Sequence, residues 1–354
     1  MQSRDPNTDL IRASAIALVL IHHIGQELTF LPEAVHSFLR LGAYGVDLFF
    51  VLSGWLIGRL YWNERVKFGD VEVRRFWLRR WFRTVPPYLA ALPAAYGAVY
   101  LFRGDLFDWR YLLFLQNYKL QMPFFLASWS LCVEEHFYLL LPLTLALIFR
   151  LRFSPVVALP ALASISVIAR LVDPTVNPGA TAAGVFGYSY TATHLRFEGL
   201  CIGVWVAYVS VNCSEIWNAV KTISLLSVAP LMIGFFSIPF WSEWYAYYFG
   251  FGYVAIAWTA VLVALIAVPT LKIARYRFIH LLALWSYSIY LTHNLVIHAC
   301  TLLSDKFGIN REISFPLWLA LILLAGRSLY GLVEKPTMRL RDSFVPHRTI
   351  DIEA

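Results

Sequence analysis

Arg12 and His23 stand on one apolar segment near the start of the chain, eleven residues apart. On an α-helix that spacing is three turns plus about 20°, so the two share a face, about 16 Å apart along the axis. His22 falls off that face by about 80°. An arginine on an apolar helix is costly and normally faces a polar cavity or a partner. An imidazole, titrating near neutral pH, is a natural general base. The plainer alternative is that Arg12 snorkels to the headgroups and His23 sits in the opposite interface.

Three further clusters interrupt apolar sequence. In Gly45 to Gly54, Asp47 is a lone carboxylate, and Ser53 and Gly54 are small enough to admit another helix or a ligand. The stretch Arg74 to Arg83, ending at Pro86-Pro87, is an amphipathic entry into an apolar run. Its Arg80 and Arg83 lie i, i+3 on neighbouring faces. They suit either anionic lipid headgroups or a phosphate-bearing cytoplasmic ligand. Ser128 to Tyr138 sets Glu134, Glu135 and His136 at the start of another run. Adjacent helical residues point about 100° apart, so one glutamate is expected to face inward and the other elsewhere. Weaker signals are His194 to Gly199 with Arg196, Ser286 to His293 with Tyr290, and Val333-Glu334-Lys335-Pro336.

The elements carrying these residues are membrane helices. The chain has 354 residues, 59% hydrophobic and only 14% charged, against about 25% charged in soluble domains. Mean hydropathy is +0.62. This excludes a disordered chain, a nucleic-acid-binding domain and a disulfide-stapled fold. Ten apolar runs are long enough to span a bilayer: about 9–25, 39–58, 84–102, 130–149, 154–171, 194–211, 222–240, 246–268, 279–303 and 313–332. With both termini cytoplasmic, Lys and Arg favour the inner segments by roughly two to one. The first run carries Arg12 and lacks a small-residue cleavage site, so it reads as a span and not as a removable signal. Cys132, Cys201, Cys213 and Cys300 lack metal-ligand spacing, and no metal is expected. The expected architecture is all-α: one membrane domain over 1–354, with a helical core at about 9–336 and a short basic cytoplasmic tail at 337–354.

Taken in order, these segments resemble the acyltransferase family 3 membrane proteins. Arg12, ten residues and His23 match that family's opening hallmark, and Gly45–Gly54, Arg80–Arg83 with Pro86, Ser128–Tyr138, Ser286–His293 and Val333–Pro336 follow in the family's order. Each motif alone is weak; the ordered set is specific. The chain departs from the family at Cys132, where serine is common, at His136, often glutamine, and at Thr292, often aromatic. The resemblance implies about ten spans and transfer of an acyl group, usually acetyl, from acyl-CoA to a hydroxyl. The acceptor would be a surface glycan, a lipid-linked sugar or a glycosylated metabolite, and the setting a bacterial cytoplasmic membrane.

Acyl transfer needs a base, oxyanion stabilisation, exclusion of water and an aligned donor. His23 is the expected base or acyl relay. Glu134 or Glu135 is expected to fix its tautomer, with Asp47 third. Arg80 and Arg83 would take CoA phosphates, with Arg12, Ser53 and Gly54 along the donor path. Trp129, Arg196, Tyr290 and His293 are expected on the acceptor side. The acceptor pocket should involve outer loops at about 26–38, 103–127 and 172–193, where Trp109, Tyr111, Tyr118, Phe124 and Phe125 could stack on sugars. Expected partners are lipid, acyl-CoA and a glycan acceptor, with no nucleic acid. The rival reading is a transporter or flippase for a lipid-linked sugar, since charges within spans also suit a transport path. Against it, the sequence carries no inverted repeat.

Overall fold

A computed structural model describes residues 5–346 and 348, apart from 105, 120, 121, 123 and 174–189. Among them every regular element is helical. Each of the ten apolar runs centres on a helix. In chain order these are α1 (Pro6–Glu27), α3 (Gly45–Phe68), α4 (Val73–Arg103), α5 (Trp129–Arg150), α6 (Pro155–Val172), α7 (Glu198–Asn212), α8 (Ser214–Ser237), α9 (Phe251–Ala267), α10 (Arg277–Phe307) and α11 (Arg311–Leu329). The short α2 (Glu33–Arg40) precedes α3, and α12 (Lys335–Phe344) ends the described chain. π-turns at Ala246–Gly250 and Tyr330–Glu334 lead into α9 and α12.

Seven segments among the described residues are long and apolar enough to cross a membrane. The chain is thus an all-α polytopic membrane protein. The other three of the ten runs fall short for physical reasons. α7 is apolar but has 15 residues. α4 and α10 have 31 each, but prolines and tyrosines dilute the first, and Ser286, Ser288, Thr292, His293 and Asn294 the second. As shown below, those two helices wall the cleft.

Local signals fix the helix ends. Asp5 caps α1 by accepting from the Asn7 amide at 3.1 Å, with Pro6 in the first turn. α3 stops at Gly69, whose φ of 80° is cheap only for glycine. Asn7 then ties α1 to α9: its amide donates to the Leu265 carbonyl at 2.8 Å, and its oxygen accepts from the Leu271 amide at 3.0 Å.

The centre of the bundle is α1, packed between α3 and α10. α3 makes its tightest crossing with α7, where glycines remove the Cβ atoms that would keep the backbones apart. A Cβ on Gly54 would stand 2.2 Å from the Leu200 carbonyl oxygen, and one on Gly203 2.3 Å from that of Val51. Two buried ion pairs pin the same region. Arg196 bonds Asp47 at 2.9 Å between α7's approach and α3, and Arg170 of α6 meets Glu198 of α7 at 2.8 Å. All four side chains are nearly inaccessible, so each charge is offset by its partner and not by water.

Candidate active site

Five helices enclose one cleft of about 680 Å³, counting the space open to solvent. α1 contributes Arg12, and α3 contributes Val46, Phe49, Leu52, Ser53 and Leu56. This set recurs at helical spacing along one face, mostly apolar with one hydroxyl. α4 brings Arg80, Arg83 and Thr84, α5 brings Ser130, Leu131 and Glu134, and α10 brings Ser286, Tyr287 and Tyr290. Three guanidiniums and one carboxylate thus share a cleft with one apolar wall, a combination suited to an extended anionic ligand with an uncharged arm.

Each charged group is held from behind. Arg80 lies over the Tyr138 ring, 4.4 Å from its centroid, and its Nε has no hydrogen-bond partner among the described residues. The Tyr138 hydroxyl donates to Glu134 at 2.7 Å and the Ser53 hydroxyl to the same carboxylate at 3.3 Å, tying α5 to α3. Arg12 stands 4.0 Å from Asp9, which in turn meets His280 at 2.9 Å. The Tyr287 hydroxyl donates to the Thr84 carbonyl at 2.7 Å and locks α10 against α4. Ser130 and Tyr290 bring their hydroxyls to 2.7 Å, and Tyr290 also reaches the Ala127 carbonyl at 2.9 Å.

His23 is not among the cleft-lining residues. Tyr290 connects the two: its ring stands 5.5 Å from that of His293, and the His293 ring stands 4.9 Å from that of His23. Neither glutamate supports His23. Glu134 is engaged by Ser53 and Tyr138, while Glu135, one residue on and turned away, faces Thr84 and Trp81. The neighbour across from His23 is an imidazole carried by α10, so the expected carboxylate partner is replaced by His293.

Other candidates lie elsewhere in the fold. Asp47 pairs with Arg196, and the Arg196 guanidinium lies over Phe251 at 3.8 Å, Tyr190 at 4.5 Å and Trp129 at 5.0 Å. Asp47, Arg196 and Trp129 therefore build a buried ion pair and its aromatic box, outside the cleft lining. Gly54 faces α7 and not the cleft, which leaves Ser53 as the donor-path candidate of that pair. Of the proposed sugar-stacking rings, Tyr111, Phe124 and Phe125 are buried, with Tyr111 stacked on Phe124 at 4.0 Å and Tyr88 on Phe125 at 5.6 Å. Only Trp109 and Tyr118 are exposed. Most of the third expected acceptor loop, 174–189, lies outside the described residues. Among those described, no three His, Cys, Asp or Glu side chains gather as a metal site.

Comparison with known sequences agrees with this arrangement. The profile of the third acyltransferase family, described as an acyltransferase domain, matches residues 5–327. The chain belongs to acyltransferase family 3. Among curated relatives of this acyltransferase is the O-acetyltransferase OatA of Staphylococcus aureus (strain NCTC 8325 / PS 47), 26% identical over 317 residues, which are 81% of this chain and 50% of that protein. A Staphylococcus aureus (strain COL) protein provisionally named an O-acetyltransferase is 27% identical over 322 residues, 82% of this chain and 50% of its own. The chain spans about half the length of the curated relatives it matches. No solved structure matches it.

Sequence reasoning missed several cleft residues of the acyltransferase. Thr84 sits four residues after Arg80, and Leu131 three before Glu134, so helical spacing from the arginines and the glutamate would have found both. Phe49, Leu52 and Leu56 follow the same logic from Ser53. Glu334, in the second π-turn, is 2% exposed and accepts from Ser288 at 2.6 Å. Nothing in its local sequence marks α10 as its partner.

Proposed function

We propose that this chain transfers an acyl group, acetyl being the expected one, from acyl-CoA to a hydroxyl of a glycan or lipid-linked sugar. The observation that carries the reading is the cleft itself, with Arg12, Arg80 and Arg83 at an apolar wall that leads through Tyr290 to the His23–His293 pair. Guanidinium forks suit the phosphates of CoA, and the Val46–Leu56 face suits its pantetheine arm. The thioester then lies toward Phe49 and Tyr290, whose rings stand 6.3 Å apart.

His23 takes the proton of the acceptor hydroxyl as its oxygen attacks the thioester carbonyl. The new C–O bond forms, the C–S bond breaks, and His23 returns the proton to the departing thiolate. Ser130 and Tyr290 are the neutral hydroxyl donors in the cleft for the tetrahedral oxyanion. Names of relatives such as OatA support acetyl and O-linked transfer in this chain. The setting proposed is a bacterial cytoplasmic membrane.

The test is release of CoA from acetyl-CoA by the purified chain in nanodiscs, with and without a hydroxyl-bearing sugar. His23→Ala is expected to lose about 10²-fold or more of turnover while inserting and eluting like the parent. Normal turnover by a well-folded His23→Ala variant would overturn the assignment of His23. Complete inertness of the parent toward acetyl-CoA, with no binding, would return weight to transport of a lipid-linked sugar.

A further inference from the structure

His293 is completely buried in α10, and one of its two ring nitrogens is fully accounted for. Nδ1 stands 2.7 Å from the Tyr290 carbonyl oxygen. A carbonyl only accepts, so Nδ1 carries the hydrogen. Neutral imidazole holds one proton, and Nε2 is therefore a bare acceptor. That Nε2 is shut off from solvent and has no hydrogen-bond partner among the described residues. A buried acceptor left unpaired costs about 1–3 kcal/mol, so its presence calls for a reason.

The ring next to it is His23. The two centroids are 4.9 Å apart and the planes tilt by 51°. Each ring nitrogen lies about 1 Å from its own centroid, so nitrogens on facing edges fall within hydrogen-bond reach after a modest turn of one ring. His23 is partly accessible and has that freedom; His293, gripped at Nδ1 and packed on Tyr290, does not. Its full burial and absence from the cleft lining also argue against the expected contact between His293 and acceptor. No carboxylate competes, since Glu134 and Glu135 are engaged on the far wall.

We propose that His293 is a positioning residue for His23. Its Nε2 accepts the facing N–H of His23, which pins one tautomer and leaves the other His23 nitrogen bare to receive the acceptor's proton. The Tyr290 carbonyl, by fixing where the proton on His293 resides, orders both rings. This rests on the reading of His23 as the group that takes that proton. The role is the one a carboxylate fills in a Ser-His-Asp triad, here filled by a neutral ring in an apolar setting that would penalise a charge.

The experiment is solid-state nitrogen NMR on the full chain, labelled with ¹⁵N-histidine and reconstituted in lipid. Signals lost in His23→Ala identify His23. The wild type is expected to show His23 in one tautomer. His293→Leu is expected to show both tautomers, and His293→Gln, whose Oε1 reaches toward the former Nε2 position, to restore one. If His293→Leu inserts poorly, His293→Phe keeps a ring without an acceptor and replaces it. In parallel, CoA release from acetyl-CoA should lose kcat by about 10–100-fold in His293→Leu, with KM nearly unchanged and most of the rate regained in His293→Gln. A single, unaltered His23 tautomer in His293→Leu or His293→Phe would overturn the proposal. Normal turnover in His23→Ala would overturn the function of His23 instead, and the tautomer spectra would still decide the role of His293.

Discussion

Asp47 and Glu134 are both carboxylates on apolar helices, yet their surroundings give them different work. Glu134 faces the cleft with hydroxyls from Ser53 and Tyr138 on it. Asp47 faces Arg196, beneath three aromatic rings. Removing one member of such a buried pair strands the other charge and costs about 3–5 kcal/mol. Asp47→Ala is therefore expected to lower the melting temperature of the detergent-purified chain markedly, while the fraction that stays folded keeps its KM for acetyl-CoA. Combining Asp47→Leu with Arg196→Met should recover most of the loss, because no lone charge then remains. An unchanged melting temperature in Asp47→Ala would show the pair contributes nothing. The sequence exposed the oddity of Asp47 but not its partner, 149 residues away. The same holds for His293 and His23: each looked unusual where it stood, and only the packing of α10 on α1 paired them.

The helices themselves were largely readable. Every apolar run centres on one because bilayer length and hydropathy are properties of contiguous sequence. What could not be read was which faces meet. Gly54 and Ser53 are neighbours of similar size, and about 100° of helical rotation sends one to α7 and the other to the cleft. At the glycine seam a methyl group would meet backbone, which cannot move aside as a side-chain tip can. Gly54→Ala and Gly203→Ala are expected to destabilise the chain by about 1–3 kcal/mol. Gly97→Ala in α4, where a Cβ would have nothing within 4 Å, should be neutral or slightly stabilising. Equal melting temperatures for all three variants would mean that α3 and α7 separate without cost.

The arrangement of charge follows from what the bundle can tolerate. The ion pairs Asp47–Arg196 and Arg170–Glu198 are neutral as units, whereas Arg12, Arg80 and Arg83 outnumber the single carboxylate lining their cleft. That excess makes donor capture electrostatic, so the KM for acetyl-CoA should rise with ionic strength while kcat stays nearly constant. Arg80→Ala and Arg83→Ala should each raise KM and flatten that dependence. A KM indifferent to salt and to both substitutions would assign the arginines to lipid headgroups instead. The cleft depends on the far end of the chain as well. Beyond the π-turn Tyr330–Glu334, Arg79 of α4 meets Asp342 of α12 at 3.1 Å, and Glu334 itself holds Ser288 of α10. A π-turn stores one residue more than an α-turn. Losing that residue would leave a longer, regular helix and swing everything after it by about 100°. For this stretch, then, sequence length is geometry: a lineage can exchange side chains there freely, but a one-codon deletion would spare every helix and unlatch α12 from the arginine helix it clasps.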